Sequence, residues 1–155
     1  GSDGMTVKAN EVLHFDGLTL TPTSDFTLTS TTLTRTDDYT ISPAPTGTYI
    51  KRYFSFSTTT PAFAGTIRFS YAGATLGSLT AGNLKLNIRT ASAWTGGFGT
   101  DVGTGGGSYV EATSLSSTRL NTLTLADANG ALPVTWQSFT AEKQGSASLL
   151  KWSTA

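Results

Sequence analysis

The sequence predicts an all-β fold: an antiparallel β-sandwich of the immunoglobulin or jelly-roll kind, ending in a C-terminal β-hairpin. Three observations indicate this class. Only 13% of the 155 residues are charged, against about 25% in a typical soluble domain, and Thr, Ser and Gly supply the polar surface instead. Apolar and polar residues alternate with a period of two, as half-buried strands require. No window shows the sustained period of about 3.6 residues that would indicate a helix.

The alternating runs divide the chain into about ten strands, separated by turn signals. Asp16-Gly17 predicts a tight hairpin, because Gly tolerates a positive φ. Two prolines in segment 42–47 lack the backbone donor that a central strand needs, so a connection is expected there. The glycine-rich residues 96–107 are predicted to be the longest irregular stretch. Strands are expected near residues 11–15, 17–21, 25–29, 31–36, 47–57, 65–71, 83–90, 108–113 and 119–126, with two more after 133.

The same alternation predicts which side chains are buried. Large apolar residues recur on one side of each run, and the residues between them face water. In the run 83–90 the water-facing side is expected to hold Lys85, Asn87 and Arg89. The predicted core includes Phe26, Phe54, Phe56, Ile67 and Phe69. Arg52 falls on the same side of its run as Phe54 and Phe56.

The chain is predicted to contain one sandwich and a fragment of a second unit. Residues 1–9 are interpreted as a cloning remnant and leader and are excluded from the fold, because small polar residues precede Met5. Residues 10–128 form the β-sandwich module, and the composition changes at 126–130. Residues 129–155 have the pattern strand, polar turn, strand, which is too short to bury a core of its own.

The C-terminal segment carries a family resemblance. Leu132 to Val134, Phe139 to Ala141 and Leu150 to Ala155, within LPVTWQSFTAEKQGSASLLKWSTA, resemble the first hairpin of a fibronectin type III-like module near the C-termini of type IX-secreted bacterial surface proteins. Residues 15–126 are similar to the β-rich module that commonly precedes this hairpin. The resemblance implies a non-catalytic extracellular module at the cell surface. It would be a spacer, scaffold or adhesion unit of a longer secreted chain, with neighbouring domains of that chain as partners.

The hairpin lacks the strands that would complete such a module. Alone it would expose Trp136, Phe139, Leu150 and Trp152, a patch that promotes aggregation. We therefore predict that residues 133–154 dock on the main sandwich or, by swapping, on a neighbouring chain.

The residue inventory predicts that the chain is not an enzyme. His14 is the only imidazole and Cys is absent, so a catalytic triad could form only through His14, and no G-x-S-x-G motif accompanies it. The three glutamates, Glu11, Glu111 and Glu142, are dispersed among small polar residues, unlike the paired carboxylates of glycosidases. Ten acidic and ten basic residues give zero net charge, which disfavours nucleic acid as a partner. No apolar run is long enough for membrane insertion.

Aromatic residues give an alternative function, carbohydrate binding to a polysaccharide or cell-surface glycan. Sugar rings stack on flat aromatic side chains while neighbouring polar groups bond their hydroxyls. Trp94 borders the glycine-rich stretch and Tyr109 follows it, so both are predicted to flank one loop-rich end of the sandwich. Tyr49 and Tyr53 are further candidates on the polar side of their strand. The competing interpretation of Trp94 is packing in the core or at the rim.

No cofactor is expected, with calcium as the alternative. Extracellular sandwiches use oxygen ligands from loops to hold calcium, and Asp37, Asp38 and Asp101 are the candidate carboxylates. Their spacing matches no defined calcium loop, so the competing interpretation is a set of solvated turn aspartates.

Overall fold

The computed structural model describes residues 4–91, 93–102 and 108–127, together with the backbone of strands 140–144 and 147–151. Two antiparallel five-stranded sheets pack against each other, so the predicted all-β sandwich is confirmed. A single 3₁₀ turn, Ala81–Asn83, is the helical element of the part described. None of the helical segments in that part is long and apolar enough to cross a membrane.

The strands follow one another with short connections. In chain order they are β1 (Gly4–Val7), β2 (Leu13–Phe15), β3 (Leu18–Pro22), β4 (Phe26–Thr29), β5 (Leu33–Asp37), β6 (Tyr49–Phe56), β7 (Ala62–Ser70), β8 (Leu84–Thr90), β9 (Ala93–Phe98), β10 (Thr100–Asp101), β11 (Tyr109–Arg119), β12 (Thr122–Asp127), β13 (Thr140–Gln144) and β14 (Ala147–Lys151). The front sheet has the order β2-β3-β7-β11-β10 and the back sheet the order β5-β6-β12-β8-β9. Strands β1 and β4 form a separate two-stranded ribbon.

The core lies between the two sheets, where the inward side chains of both meet. All five aromatic and aliphatic residues predicted to be buried are buried. The rings of Phe54 and Phe69, from opposite sheets, pack edge to face with their centroids 5.0 Å apart. Phe26 of the ribbon packs in the same way on Phe63, at 5.1 Å. Edge-to-face pairs of this kind stabilise beyond the area they bury.

The C-terminal hairpin is confirmed by the pairing of β13 with β14, in which Thr140 faces Lys151 and Gln144 faces Ala147. The predicted docking of this hairpin concerns side chains that lie outside the described residues. It stays a prediction.

Two segments differ from the sequence-based expectation. Gly4 and Met5 pair with Thr29 and Leu28 of β4, so excluding this segment from the fold omitted the strand β1. Strand β11 continues beyond residue 113, through register shifts on both sides of Leu115. These bulges disguise the alternation that marks a strand in the sequence.

The predicted irregular stretch 96–107 is also corrected where the structure describes it. Residues 93–98 and 100–101 are strands, and the chain passes directly from the back sheet to the front sheet at Gly99. Gly99 has a φ of +80°, and a Cβ there would lie 2.5 Å from the Glu111 carbonyl oxygen. Glycine at 99 therefore permits a close crossing of two backbones.

A buried arginine joins the sheets at the end of the sandwich where β5 leads into β6. Arg52 of β6 is only 3% exposed, on the inward side that the alternation predicted. Its Nε donates to Asp37 Oδ1 at 2.7 Å, and its Nη1 donates to the carbonyl oxygens of Ser70 and Ala72, each at 3.0 Å. Arg35 donates to Asp37 as well and thereby extends the network. This Arg52 clamp spans both sheets, because Ser70 ends β7 of the front sheet.

Residues 38–48 form a strap that lies over the outer face of the back sheet. The Ile41 backbone N–H donates to the Tyr49 hydroxyl at 3.2 Å, and Trp94 Nε1 donates to the Pro43 carbonyl oxygen at 3.0 Å. Ile41 and Pro45 are buried. By alternation Thr124 of β12 points away from the core, yet it is also fully buried. The strap therefore covers part of a sheet face that the sequence predicted to be solvated.

Candidate functional site

The two aromatic residues predicted to share one end of the sandwich are not brought together. Trp94 lies on β9 of the back sheet, opposite Arg89 of β8. The Arg89 carbonyl oxygen accepts a hydrogen bond from the Asn121 N–H, so the backbone of Trp94 lies near the β11–β12 turn. Tyr109 begins β11 of the front sheet, opposite Ser70 and therefore at the other end of that strand from the turn. The two residues thus belong to different sheets, and their backbones lie towards opposite ends of the sandwich.

The physical reason is the strand character of residues 93–101. A strand rises about 3.3 Å per residue, so the chain travels on the order of 20 Å from Trp94 before it reaches the connection that leads to Tyr109. A loop over the same residues would have allowed the two rings to approach each other.

Tyr109 is engaged by a charged neighbour on the front sheet. The Arg68 guanidinium lies 5.0 Å from the centre of its ring, while Arg68 Nε donates to Glu111 Oε2 at 2.7 Å. The bond to Glu111 raises the pKa of Arg68 above its ordinary value. A groove of about 260 Å³ beside this ring is lined by His14 and Ser70, among others, and its described lining includes no carboxylate.

Tyr49 and Tyr53 are both half-buried on β6. The Tyr49 hydroxyl accepts the Ile41 N–H, and the Lys51 Nζ lies 5.9 Å from the centre of the Tyr49 ring. Tyr53 faces Thr36 of β5 and Thr124 of β12 across the sheet. Tyr49 thus anchors the strap.

The three aspartates proposed for calcium have different environments. Burial opposes ionisation of Asp37, but hydrogen bonds from Arg52 and Arg35 outweigh it and lower the pKa of Asp37 below its ordinary value. Its carboxylate oxygens already accept from guanidinium groups. Asp38 is exposed, has a φ of +62°, and donates its backbone N–H to the Lys51 carbonyl oxygen.

Asp101 lies apart from that pair, on β10 of the front sheet, where it accepts a hydrogen bond from the Tyr71 hydroxyl. Burial, and then the bond to Asp101, raise the pKa of Tyr71 to about 12. Among the residues that the structure describes, no group of three or more His, Cys, Asp or Glu could hold a metal ion. The predicted aspartates therefore do not form one site.

The structure does bring Trp94 together with polar residues that the sequence analysis did not select. A cavity of about 210 Å³ lies between the strap and strands β8, β9 and β12. Its lining includes Thr46, Lys85, Asn87, Trp94, Gly96 and Asp127. This Trp94 cavity is the candidate functional site of the described chain, because it combines an aromatic wall with several hydrogen-bonding groups.

The polar groups of the Trp94 cavity are held by the backbone. Lys85 Nζ donates to the Gly99 carbonyl oxygen at 2.7 Å, and Asn87 Nδ2 donates to the Lys85 carbonyl oxygen at 3.2 Å. Asn87 was predicted to face water, but it is only 8% exposed. The Asp127 backbone N–H donates to the Thr48 carbonyl oxygen at 3.1 Å, which connects β12 to the strap.

Gly96 lies directly against the Asn87 side chain. A Cβ at position 96 would be 2.2 Å from Asn87 Oδ1, so a larger residue there would displace the carboxamide. An amide side chain in an otherwise charged outward row was the available sequence signal. It could not be used without knowing that Gly96 of β9 would lie beside it.

Comparison of the chain with known protein families, curated proteins and solved structures found no match.

Proposed function

We propose that this chain is a non-catalytic module of an extracellular or surface-attached multidomain protein, with the role of a scaffold, spacer or adhesion unit. The observation that supports it best is the use of charged side chains in internal contacts. Four of the described carboxylates are ion-paired and a fifth accepts from a tyrosine: Asp16, Asp25, Asp37, Glu111 and Asp101. Carboxylates that already accept hydrogen bonds from a basic or phenolic partner are poorly placed to transfer a proton to a substrate.

The Arg52 clamp adds support for a scaffold role. It connects β6 of the back sheet to the end of β7 in the front sheet through two bonds from Arg52 Nη1 to the Ser70 and Ala72 carbonyl oxygens, while Asp37 of the neighbouring back-sheet strand β5 supplies the counter-charge. Hydrogen bonds that involve a charged group are stronger than neutral ones, and the two guanidinium bonds to the carbonyl oxygens cross the layer between the sheets. A module that transmits load between neighbouring domains benefits from such a connection between its layers.

The location is tested by labelling intact cells that produce the natural protein with a membrane-impermeant, amine-reactive biotin. Lys8 and Lys51 are exposed and offer amines on the module itself. We expect the protein to be labelled before lysis as strongly as after it. Labelling that requires lysis contradicts an extracellular location.

The absence of catalysis is tested with the purified chain and chromogenic ester, glycoside and phosphate substrates. We expect no turnover above that of the heat-denatured chain. His14→Gln is the informative variant, since His14 is the only imidazole. Turnover in the wild-type chain that this variant loses contradicts the proposal.

A further inference from the structure

We propose that the Trp94 cavity binds a single neutral sugar ring, as a site separate from the scaffold role. The cavity lies on the outer face of the back sheet, closed on one side by the strap and on the other by β9. It is formed by residues distant in sequence, since Thr46 comes from the strap and Asp127 from the end of β12.

The aromatic wall of the cavity is fixed before any ligand arrives. Trp94 is half-buried, and its Nε1–H donates to the Pro43 carbonyl oxygen at 3.0 Å, which restricts rotation of the indole. A ring held in one orientation presents its face without loss of rotamer entropy on binding. The polar edge of the indole is bonded to the strap, so the apolar ring face is what remains to contact a ligand.

The polar groups that line the cavity beside Trp94 supply both hydrogen-bond donors and hydrogen-bond acceptors. An ammonium donates up to three bonds, and Lys85 uses one of them on Gly99. The carboxamide of Asn87 has an oxygen that can accept, and Thr46 adds a hydroxyl that can both donate and accept. A sugar hydroxyl can donate one hydrogen bond and accept another. Sugars therefore match a site that offers donors and acceptors beside an aromatic face.

Charge and size restrict the ligand further. Among the lining residues that the structure describes, one ammonium, Lys85, is balanced by one carboxylate, Asp127, which favours a neutral ring over a uronic acid, a sulfate or a phosphate. The volume of about 210 Å³ is below the roughly 300–1,000 Å³ of sites for drug-sized ligands. The cavity therefore accepts one ring, such as the end of a glycan chain.

The test is an NMR titration of the full ¹⁵N-labelled chain with the methyl glycosides of glucose, galactose and mannose, with glucuronic acid and glycerol as comparison ligands. We expect at least one neutral glycoside to cause saturable shifts at the Trp94 indole N–H and at the Gly96 and Gly97 amides. The expected Kd is on the order of 1 mM, as suits one small ring. Glycerol and glucuronic acid should cause no saturable shift at these positions.

Thr46→Phe is the blocking variant, because position 46 is exposed on the strap and a phenyl group there would fill the cavity without entering the core. It should weaken binding by at least about tenfold. Thr34→Phe makes the same change at an exposed position of β5 and should bind like wild type. Nuclear Overhauser contacts between sugar protons and the Trp94 ring in the wild-type chain give a measurement that does not depend on the folding of any variant.

Three results overturn the proposal: no saturable shift with any neutral glycoside, shifts that survive unchanged in Thr46→Phe, or equal shifts with glycerol. None of these bears on the extracellular location or the absence of catalysis, which the labelling and turnover experiments test independently.

Discussion

Arg52 is the residue on which the geometry of one end of the sandwich depends. A buried charge is tolerated only when it is paired and its hydrogen bonds are satisfied. Asp37 supplies the pairing, and the Ser70 and Ala72 carbonyls supply the remaining acceptors. Removing the carboxylate alone would leave the guanidinium buried without a counter-charge.

We expect Asp37→Asn to lower the free energy of unfolding by about 3 kcal/mol, because breaking a buried pair from one side costs roughly 3–5 kcal/mol and Asp37 itself is partly exposed. Glu111→Gln is the matched control, since its partner Arg68 is half exposed and exposed pairs contribute about 0–1 kcal/mol. Urea unfolding of both variants measures the difference. Equal decreases in the free energy of unfolding of the two variants would show that the Arg52 clamp contributes no more to stability than an exposed ion pair.

Tyr71 gives a second prediction at this scale, in alkaline solution. Its pKa is raised from 10.0 to about 12 in the folded chain, so the folded state retains a proton that the unfolded state releases. The resulting stabilisation is complete below pH 10 and is lost as the pH rises towards 12. Tyr71→Phe has no phenol to ionise, so its unfolding free energy should fall less steeply over this range. Parallel pH profiles for the two proteins would contradict the assignment.

The strands illustrate what the sequence can and cannot predict. The alternation in β6 correctly placed Phe54 and Phe56 in the core and even turned the charged Arg52 inward. The same reasoning placed Asn87 in water, because it considers one strand at a time. Asn87 lies against Gly96 of the neighbouring strand β9. The Trp94–Pro43 bond beside it joins residues 51 positions apart.

The β9–β10 crossing was missed for a related reason. Its glycines were interpreted as part of an irregular stretch, whereas Gly99 is where two backbones approach closely. Composition alone does not distinguish a glycine that makes the backbone flexible from one that lets another backbone approach closely. The predicted aromatic site was wrong for the same reason, because the expected proximity of Trp94 and Tyr109 depended on a loop between them.

We expect Gly99→Ala to lower the free energy of unfolding by about 2 kcal/mol or more, because alanine there meets both an unfavourable positive φ and the Glu111 carbonyl. Gly82→Ala is the control, since a Cβ at position 82 has nothing within 4 Å and its φ is not positive. Thermal unfolding of the two variants makes the comparison. A Gly99→Ala chain as stable as Gly82→Ala would mean that the crossing relaxes freely.

At the scale of the whole molecule, the C-terminal hairpin is predicted to be covered by a sandwich. β13 and β14 pair with each other, and a two-stranded hairpin is at best marginally stable by itself in water. The sequence places several large apolar residues in and around this hairpin. Both facts favour a hairpin that is covered, either by its own sandwich or by that of a second chain.

Limited trypsin digestion distinguishes a covered hairpin from a free one. Lys8 is exposed near the start of the chain and serves as an internal measure of protease activity. If residues 133–154 dock, cleavage after Lys143 and Lys151 should be at least about tenfold slower than cleavage after Lys8, because proteolysis requires local opening. Sedimentation at several concentrations then separates docking in cis, which leaves a monomer, from swapping, which gives a dimer. Rapid loss of residues 131–155 that leaves a stable sandwich would show that the hairpin does not dock, and its apolar residues would then need a partner outside this chain.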